Sequence, residues 1–192
     1  DEYASISTSR PGAANPTSSV PFGLYQFEMG TNLSTSPGAD TTFIIPALIR
    51  MGVLKNTELQ VAYASQYLTL GVLYGGISFV DGLENSIIFT TSMTRNIDSL
   101  TEYSTYLPIS YELTNDFSVW GQASGTVMNT DDSNPVVSYS MAVGNSLGEK
   151  NSWFLETYQS FIKEQDDPPI SINYGFTHLS DKTVQFDISM GV

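Results

Sequence analysis

A chain of 192 residues has the length of a single domain, and 41% hydrophobic with 12% aromatic residues is too apolar for a disordered tether. Seven Lys plus Arg against twenty Asp plus Glu leave a formal charge of −13, so the chain lacks the basic stripe that phosphate recognition requires, which excludes nucleic acid as a partner. Charged residues make up 14%, well under the roughly 25% of soluble domains; the absence of cysteine excludes disulfides and thiolate metal sites.

Residues 1–23, with Pro11, Pro16 and Pro21 and no hydrophobic period, read as a polar lead-in or tether. Asp1 is preceded by no basic-apolar leader, as expected of a mature protein whose signal peptide has been removed. From Leu24 a period of two begins and continues to the end of the chain. Tyr25, Phe27 and Met29 share one phase, and Gln26, Glu28 and Gly30 the other. Phe43, Ile45, Ala47, Ile49, Met51 and Val53 alternate with Ile44, Pro46, Leu48, Arg50 and Gly52 as one expected strand. After a Lys55-Asn56 turn, Leu59, Val61 and Tyr63 oppose Glu58, Gln60 and Ala62. Tyr67 to Val80 is extended, but Gly71, Gly75 and Gly76 obscure its faces. Asp81-Gly82 is a hairpin signal, followed by Ile87, Phe89, Thr91 and Met93 in phase. Later strands carry Leu107, Ile109 and Tyr111; Phe117 and Val119; Val137 to Val143; Trp153, Leu155 and Thr157; and Ile170 to Phe176. The last ten residues alternate without exception, Val184, Phe186, Ile188, Met190 and Val192 against Thr183, Gln185, Asp187, Ser189 and Gly191.

No apolar run approaches the roughly 18 residues of a spanning helix, so a membrane protein of this sequence would span by strands. Two all-β arrangements fit the alternation. In a soluble sandwich the apolar phase is a core and the polar phase meets water. Here the polar phase is mostly Ser, Gly, Ala, Thr, Gln and isolated carboxylates, and Lys55, Lys150, Lys163 and Lys182 all fall in turns or loops. Small uncharged groups suit a crowded barrel interior. Short turns alternate with mostly longer loops at 33–41, 96–103, 129–135 and 163–169, and tyrosines gather near strand ends. The expected fold is therefore an all-β, antiparallel, up-and-down transmembrane β-barrel over residues 24–192, of about 12 strands with no significant helix. About eleven strands are legible; since such barrels have even counts, a twelfth is expected beyond Val192 or within 67–80.

Several segments carry a resemblance. Thr8-Ser9-Arg10-Pro11, the run from Val20 to Glu28, Leu48 to Val53 followed by Glu58-Leu59-Gln60, Trp153 to Glu156, and Tyr174 to His178 with Val184 to Asp187 together resemble the outer-membrane β-barrel transporter family named for a phenol-degradation meta-pathway protein. The resemblance spans nearly the whole chain through the order and spacing of short pieces. It departs from the family at Ser9, where Asp is usual, and at the end, where a further strand closing on an aromatic residue is usual. It implies a bacterial outer-membrane location in a Gram-negative cell and passage of small, often hydrophobic compounds.

On the assigned phases Glu28, Glu58, Glu112, Glu156 and Asp187 face inward with Arg50 as the one inward base, beside Trp120, Gln122, Phe154 and Tyr158. Such a lumen is net acidic and, if water-filled, favours cations; alternatively Arg50 pairs with Glu28 or a neighbour and the interior is filled. Asp131-Asp132 and Asp166-Asp167 are loop acids, readable as solvated tips or as divalent sites bridging lipopolysaccharide, and Arg95 stands where it would meet a lipid phosphate. His178 is the single histidine, on the apolar phase, so neither a multi-histidine metal site nor a serine triad is supported. No cofactor loop is present. The expected function is a non-enzymatic passive channel, with outer-membrane lipid, lipopolysaccharide and another outer-membrane protein as partners. The alternatives are a non-conducting accessory subunit of an outer-membrane complex and, third, a soluble sandwich binding module.

Overall fold

The computed structural model describes residues 6, 8, 12–35, 38, 40–94, 100–130, 134–163 and 167–192. The described residues form thirteen strands: β1 (Tyr25–Met29), β2 (Asn32–Ser34), β3 (Thr42–Ile44), β4 (Ala47–Leu54), β5 (Thr57–Ala64), β6 (Tyr67–Val80), β7 (Leu83–Thr94), β8 (Thr101–Glu112), β9 (Phe117–Met128), β10 (Val136–Ser146), β11 (Asn151–Ile162), β12 (Ser171–Asp181) and β13 (Val184–Gly191). Eleven of them build one antiparallel sheet in the order β1-β4-β5-β6-β7-β8-β9-β10-β11-β12-β13, while β2 and β3 pair only with each other. That pair continues the β1–β4 ladder in the same register, Met29 opposite Ala47 and Asn32 opposite Ile44, with the break at Pro46. Proline lacks the N–H a ladder needs, so the single strand expected over 43–53 divides into β3 and β4. The 67–80 segment is one strand of 14 residues, with a register shift between Tyr74 and Ile77 at Gly75-Gly76, and so does not supply a hidden twelfth.

Antiparallel register places the two phases on opposite faces. Gln26, Arg50, Gln60, Gly71, Thr90, Ser104 and Thr126 lie directly opposite one another across seven neighbouring strands. The adjacent row is Phe27, Ile49, Val61, Leu70, Thr91, Tyr103 and Val127. The polar rows are the buried ones. Arg50 and Glu58 are fully buried at 0% exposure and Glu156 at 1%, whereas Phe27, Tyr103 and Ile188 on the apolar face are more than half exposed. The apolar phase is therefore not the core of a sandwich. Total accessible surface is 12450 Å², against about 9,000 Å² expected for a compact monomer of this mass. The excess is that uncovered face.

The barrel expectation is corrected by the ends of the sheet. β1 and β13 are its two edges and do not pair. Eleven alternating antiparallel strands leave the first and last parallel to one another, so direct closure would require a parallel ladder in an otherwise antiparallel sheet. An open sheet has no continuous wall around a pore. An unpaired edge in hydrocarbon also leaves N–H and C=O groups without partners, at several kcal/mol each. The expected transmembrane channel is overturned on this ground. So are the outer-membrane location, the lipid, lipopolysaccharide and outer-membrane-protein partners, and the accessory subunit of an outer-membrane complex. The loop calls at Asp131, Asp132, Asp166 and Arg95 fall outside the described residues.

What holds the polar face shut is the lead-in. Its contacts follow the sheet in spatial order. Ile6 N donates to Lys182 O at the β12–β13 turn, Gln185 of β13 donates to Thr8 Oγ1 at 2.9 Å, Ala13 and Ala14 reach Glu156 of β11, and Asn15 reaches Gln122 of β9. Pro16 O then accepts from Ser86 of β7, Gly76 N of β6 donates to Thr17 O, and Val20 N donates to Glu58 of β5. At the far end Gly23 N donates to Gly52 O and Gly52 N to Leu24 O, at 2.9 and 3.0 Å. Leu73 and Ile88, two apolar side chains on the polar face, are fully buried.

Two outcomes follow from this packing. A Cβ at Gly52 would stand 2.1 Å from Pro21 O, so Gly52→Ala is expected to push the lead-in off β4 and lower stability by roughly 1–3 kcal/mol, read from urea unfolding. Asp181 accepts from the Thr183 hydroxyl at 2.6 Å and the Thr183 N–H at 2.7 Å. Those bonds, with Lys150 nearby, hold its carboxyl below the ordinary 3.8. A depressed carboxyl stabilises the fold above its unfolded pKa, and that contribution disappears as pH falls through the folded value. The melting-temperature gap between wild type and Asp181→Asn should therefore be present at neutral pH and close under strong acid.

Candidate functional site

Three places on the polar face concentrate chemistry. The first is an ion cluster under the C-terminal end of the lead-in. Arg50 Nε donates to Glu58 Oε1 at 2.7 Å and Nη2 to Glu58 Oε2 at 2.9 Å, a two-pronged pair. Arg50 Nη1 stands 3.4 Å from Glu28 Oε1, and Nη2 also donates to Ser18 O at 3.2 Å. Glu58 is further satisfied by Gln60 Nε2 and by Val20 N, both at 2.7 Å. Hairpin geometry assembles the group. Arg50 lies opposite Gln26 and Gln60, while Glu58 lies opposite Gly52, whose missing side chain leaves room for the Pro21 carbonyl.

The second is the pair Glu156 and Gln122. Glu156 Oε2 accepts from Ala13 N at 2.6 Å and Oε1 from Ala14 N at 3.0 Å. Gln122 Oε1 accepts from both Asn15 N and Asn15 Nδ2 at 2.9 Å. These groups bind the protein's own backbone, so they grip the lead-in and leave little capacity for a ligand. The third, bounded among the described residues, is a cavity of about 400 Å³ between the lead-in and strands β8 to β13. Trp120 and Phe154 stand side by side there, ring centres 6.5 Å apart and tilted by 51°.

Of the residues expected from sequence to share the interior, the structure brings Glu28, Arg50 and Glu58 into one cluster, and Gln122 and Glu156 onto the lead-in. Trp120 joins Phe154. Glu112, Tyr158 and Asp187 are exposed and join none of the three places. Arg50 does pair, but more closely with Glu58 than with Glu28. His178 sits on the apolar face opposite Phe186, its Nδ1 2.8 Å from Asn151 Oδ1. Among the described residues no three His, Cys, Asp or Glu side chains cluster as a metal site. The part played by the lead-in was not legible from its composition. Its small residues Gly12 to Ala14 were the one available signal, since only small side chains let a backbone approach a carboxylate this closely.

The cluster predicts an asymmetric mutational response. Arg50→Ala strands Glu58 and its neighbours in a buried site and should cost about 3–5 kcal/mol. Replacing the pair together, Arg50→Met with Glu58→Leu, should cost less than Arg50→Ala alone, because no uncompensated charge remains. Chemical denaturation of the three proteins measures both.

Comparison with family models gives no match, and comparisons with curated proteins and with solved structures give none either. The resemblance to the phenol-pathway transporter family therefore rests on the sequence segments that carry it.

Proposed function

We propose that this chain is a non-enzymatic assembly module that joins to a second copy of itself along β13. The observation that carries the proposal is the open β13 edge, continuous with an uncovered apolar face. Ile172 and Val192 exchange both backbone hydrogen bonds at 2.8 Å. By antiparallel alternation Met190, Ile188 and Phe186 also bond inward to β12, whereas the backbone groups of Ser189 and Gly191 point away from the sheet. β13 carries few of the usual protections of an edge beyond the single charge of Asp187. It contains no Lys or Pro, and its bulge lies at its start.

A two-fold axis normal to the sheet pairs β13 antiparallel with its own copy and keeps both apolar faces on the same side. A register centred on Ile188 sets Asp187 against the copy's Ser189, whereas one centred on Asp187 would set two carboxylates face to face, which is unfavourable. The apolar face stays uncovered in such a pair and is large enough to carry a further contact. Ten strand spacings and strands some 30 Å long give it about 1,400 Å², more than the roughly 800 Å² each partner of a stable complex covers and far above an ordinary surface patch. It carries a hollow of about 910 Å³ bordered by Leu107, Ile109, Val119, Met141, Leu155 and Ile172, a shape that receives protruding side chains.

Light scattering coupled to size exclusion on the whole chain tests the proposal. A dimer or larger species is expected, and Ser189→Pro should shift it toward monomer, because proline removes an outward N–H without touching the β12 ladder. A monomer for wild type at tens of micromolar, or an assembly unaffected by Ser189→Pro, would overturn the β13 joint.

A further inference from the structure

We infer that the polar face is a binding site for an extended polypeptide segment, filled by residues 12–20 of its own chain in the monomer and by the same residues of a second copy when two copies exchange lead-ins. The site reads main chain. Glu156 accepts from the N–H groups of Ala13 and Ala14, Gln122 from that of Asn15, and Glu58 from that of Val20. In the other direction Ser86 Oγ donates to Pro16 O, Gly76 N to Thr17 O and Arg50 Nη2 to Ser18 O. The sheet thus meets donors and acceptors of the segment in turn, as a receptor meets a bound peptide.

Side chains add selectivity. Ala14 and Val20 are buried, Asn15 Nδ2 donates to Gln122 Oε1, and Thr17 Oγ1 lies 2.9 Å from Ser110 Oγ. A Cβ at Gly12 would stand 3.2 Å from a Glu156 oxygen. The ligand that fits is therefore small at 12–14, polar at 15 and 17 and apolar at 20, which residues 12–20 of a second copy satisfy in full. Seven residues, Ala14 to Val20, cross the seven neighbouring strands from β11 to β5, so the segment is extended and has no length to spare for folding on itself.

The junction between this segment and β1 is a hinge. Leu24 N donates to Pro21 O at 3.0 Å, closing a tight turn in which Gly23 has φ +81° and Phe22 is exposed. A short turn of this kind invites exchange, because opening it gives up one bond whereas the contacts of the exchanged segment are remade on the copy. Gly23 and Leu24 stay on β4 through their bonds with Gly52, so the sheet is whole in either arrangement. A vacated site would leave Arg50, Glu58 and Glu156 without their lead-in partners, a cost that an incoming segment removes. Residues 12–20 make these contacts without the β13 edge, so the exchange does not rest on the β13 joint.

The experiment is disulfide trapping in the whole chain, which has no cysteine of its own. Sulfurs replacing Thr17 Oγ1 and Ser110 Oγ are within reach of a disulfide. A Thr17→Cys chain is mixed with a Ser110→Cys chain under mild oxidation, and linked chains are read from a non-reducing gel and from the mass of the joined peptides. A linked pair is expected, its yield rising with protein concentration and exceeding by roughly tenfold that obtained with Ser65→Cys, on the exposed turn between β5 and β6. Adding Ser189→Pro to both chains should leave that yield unchanged, which separates exchange from the β13 joint. The double variant Thr17→Cys with Ser110→Cys should close the same bond within one chain and so verifies that the site is folded. The inference is overturned by a double variant that closes while the mixture gives no linked pair, by a double variant that does not close, by equal linking to Ser65→Cys, or by loss of the linked pair with Ser189→Pro.

Discussion

Everything in this fold depends on how a sheet with its polar face buried finds partners for the groups it hides. Arg50, Glu58 and Glu156 are almost wholly removed from water, and isolated buried charges are not tolerated. The lead-in supplies what they lack. Its backbone N–H groups at Ala13, Ala14 and Val20 meet carboxylate oxygens, and its Ser18 carbonyl meets the guanidinium. A segment without a hydrophobic period suits this role, because its backbone provides the contacts and its side chains must stay small.

Such a core differs from an apolar one in what it contributes. Burying an ion pair yields little net stability even when its geometry is good, but breaking it is expensive. The buried cluster therefore acts on specificity. The path of the lead-in across β11, β9, β7 and β5 satisfies Glu156, Gln122 and Glu58 together, while Leu73 and Ile88 supply apolar burial on the same face. Gly52 and Gly75 mark where this path runs closest to the sheet, since a Cβ at either would collide with lead-in backbone.

The inversion of polarity also frames function. With the polar face covered by the lead-in at Glu156, Gln122 and Glu58, the surfaces open to partners are the apolar face and the β13 edge. Edge and face suit a polypeptide, through main-chain hydrogen bonds and apolar area.

Alternation alone determined the all-β class and the opposition of polar and apolar faces. It placed Glu28, Arg50, Glu58, Gln122 and Glu156 on one side, because a strand's side chains have a period of two regardless of what surrounds them. It could not distinguish Glu156 from Glu112 or Tyr158, which share its phase but stand exposed. Position along a strand relative to a distant segment is a tertiary property. Tertiary structure likewise decided that Arg50 favours Glu58 across the β4–β5 turn over Glu28. Above all it decided that the sheet stays open. Closure depends on whether the first and last strands meet with unpaired groups facing each other, and a local period carries no information about strands separated by the whole length of the chain.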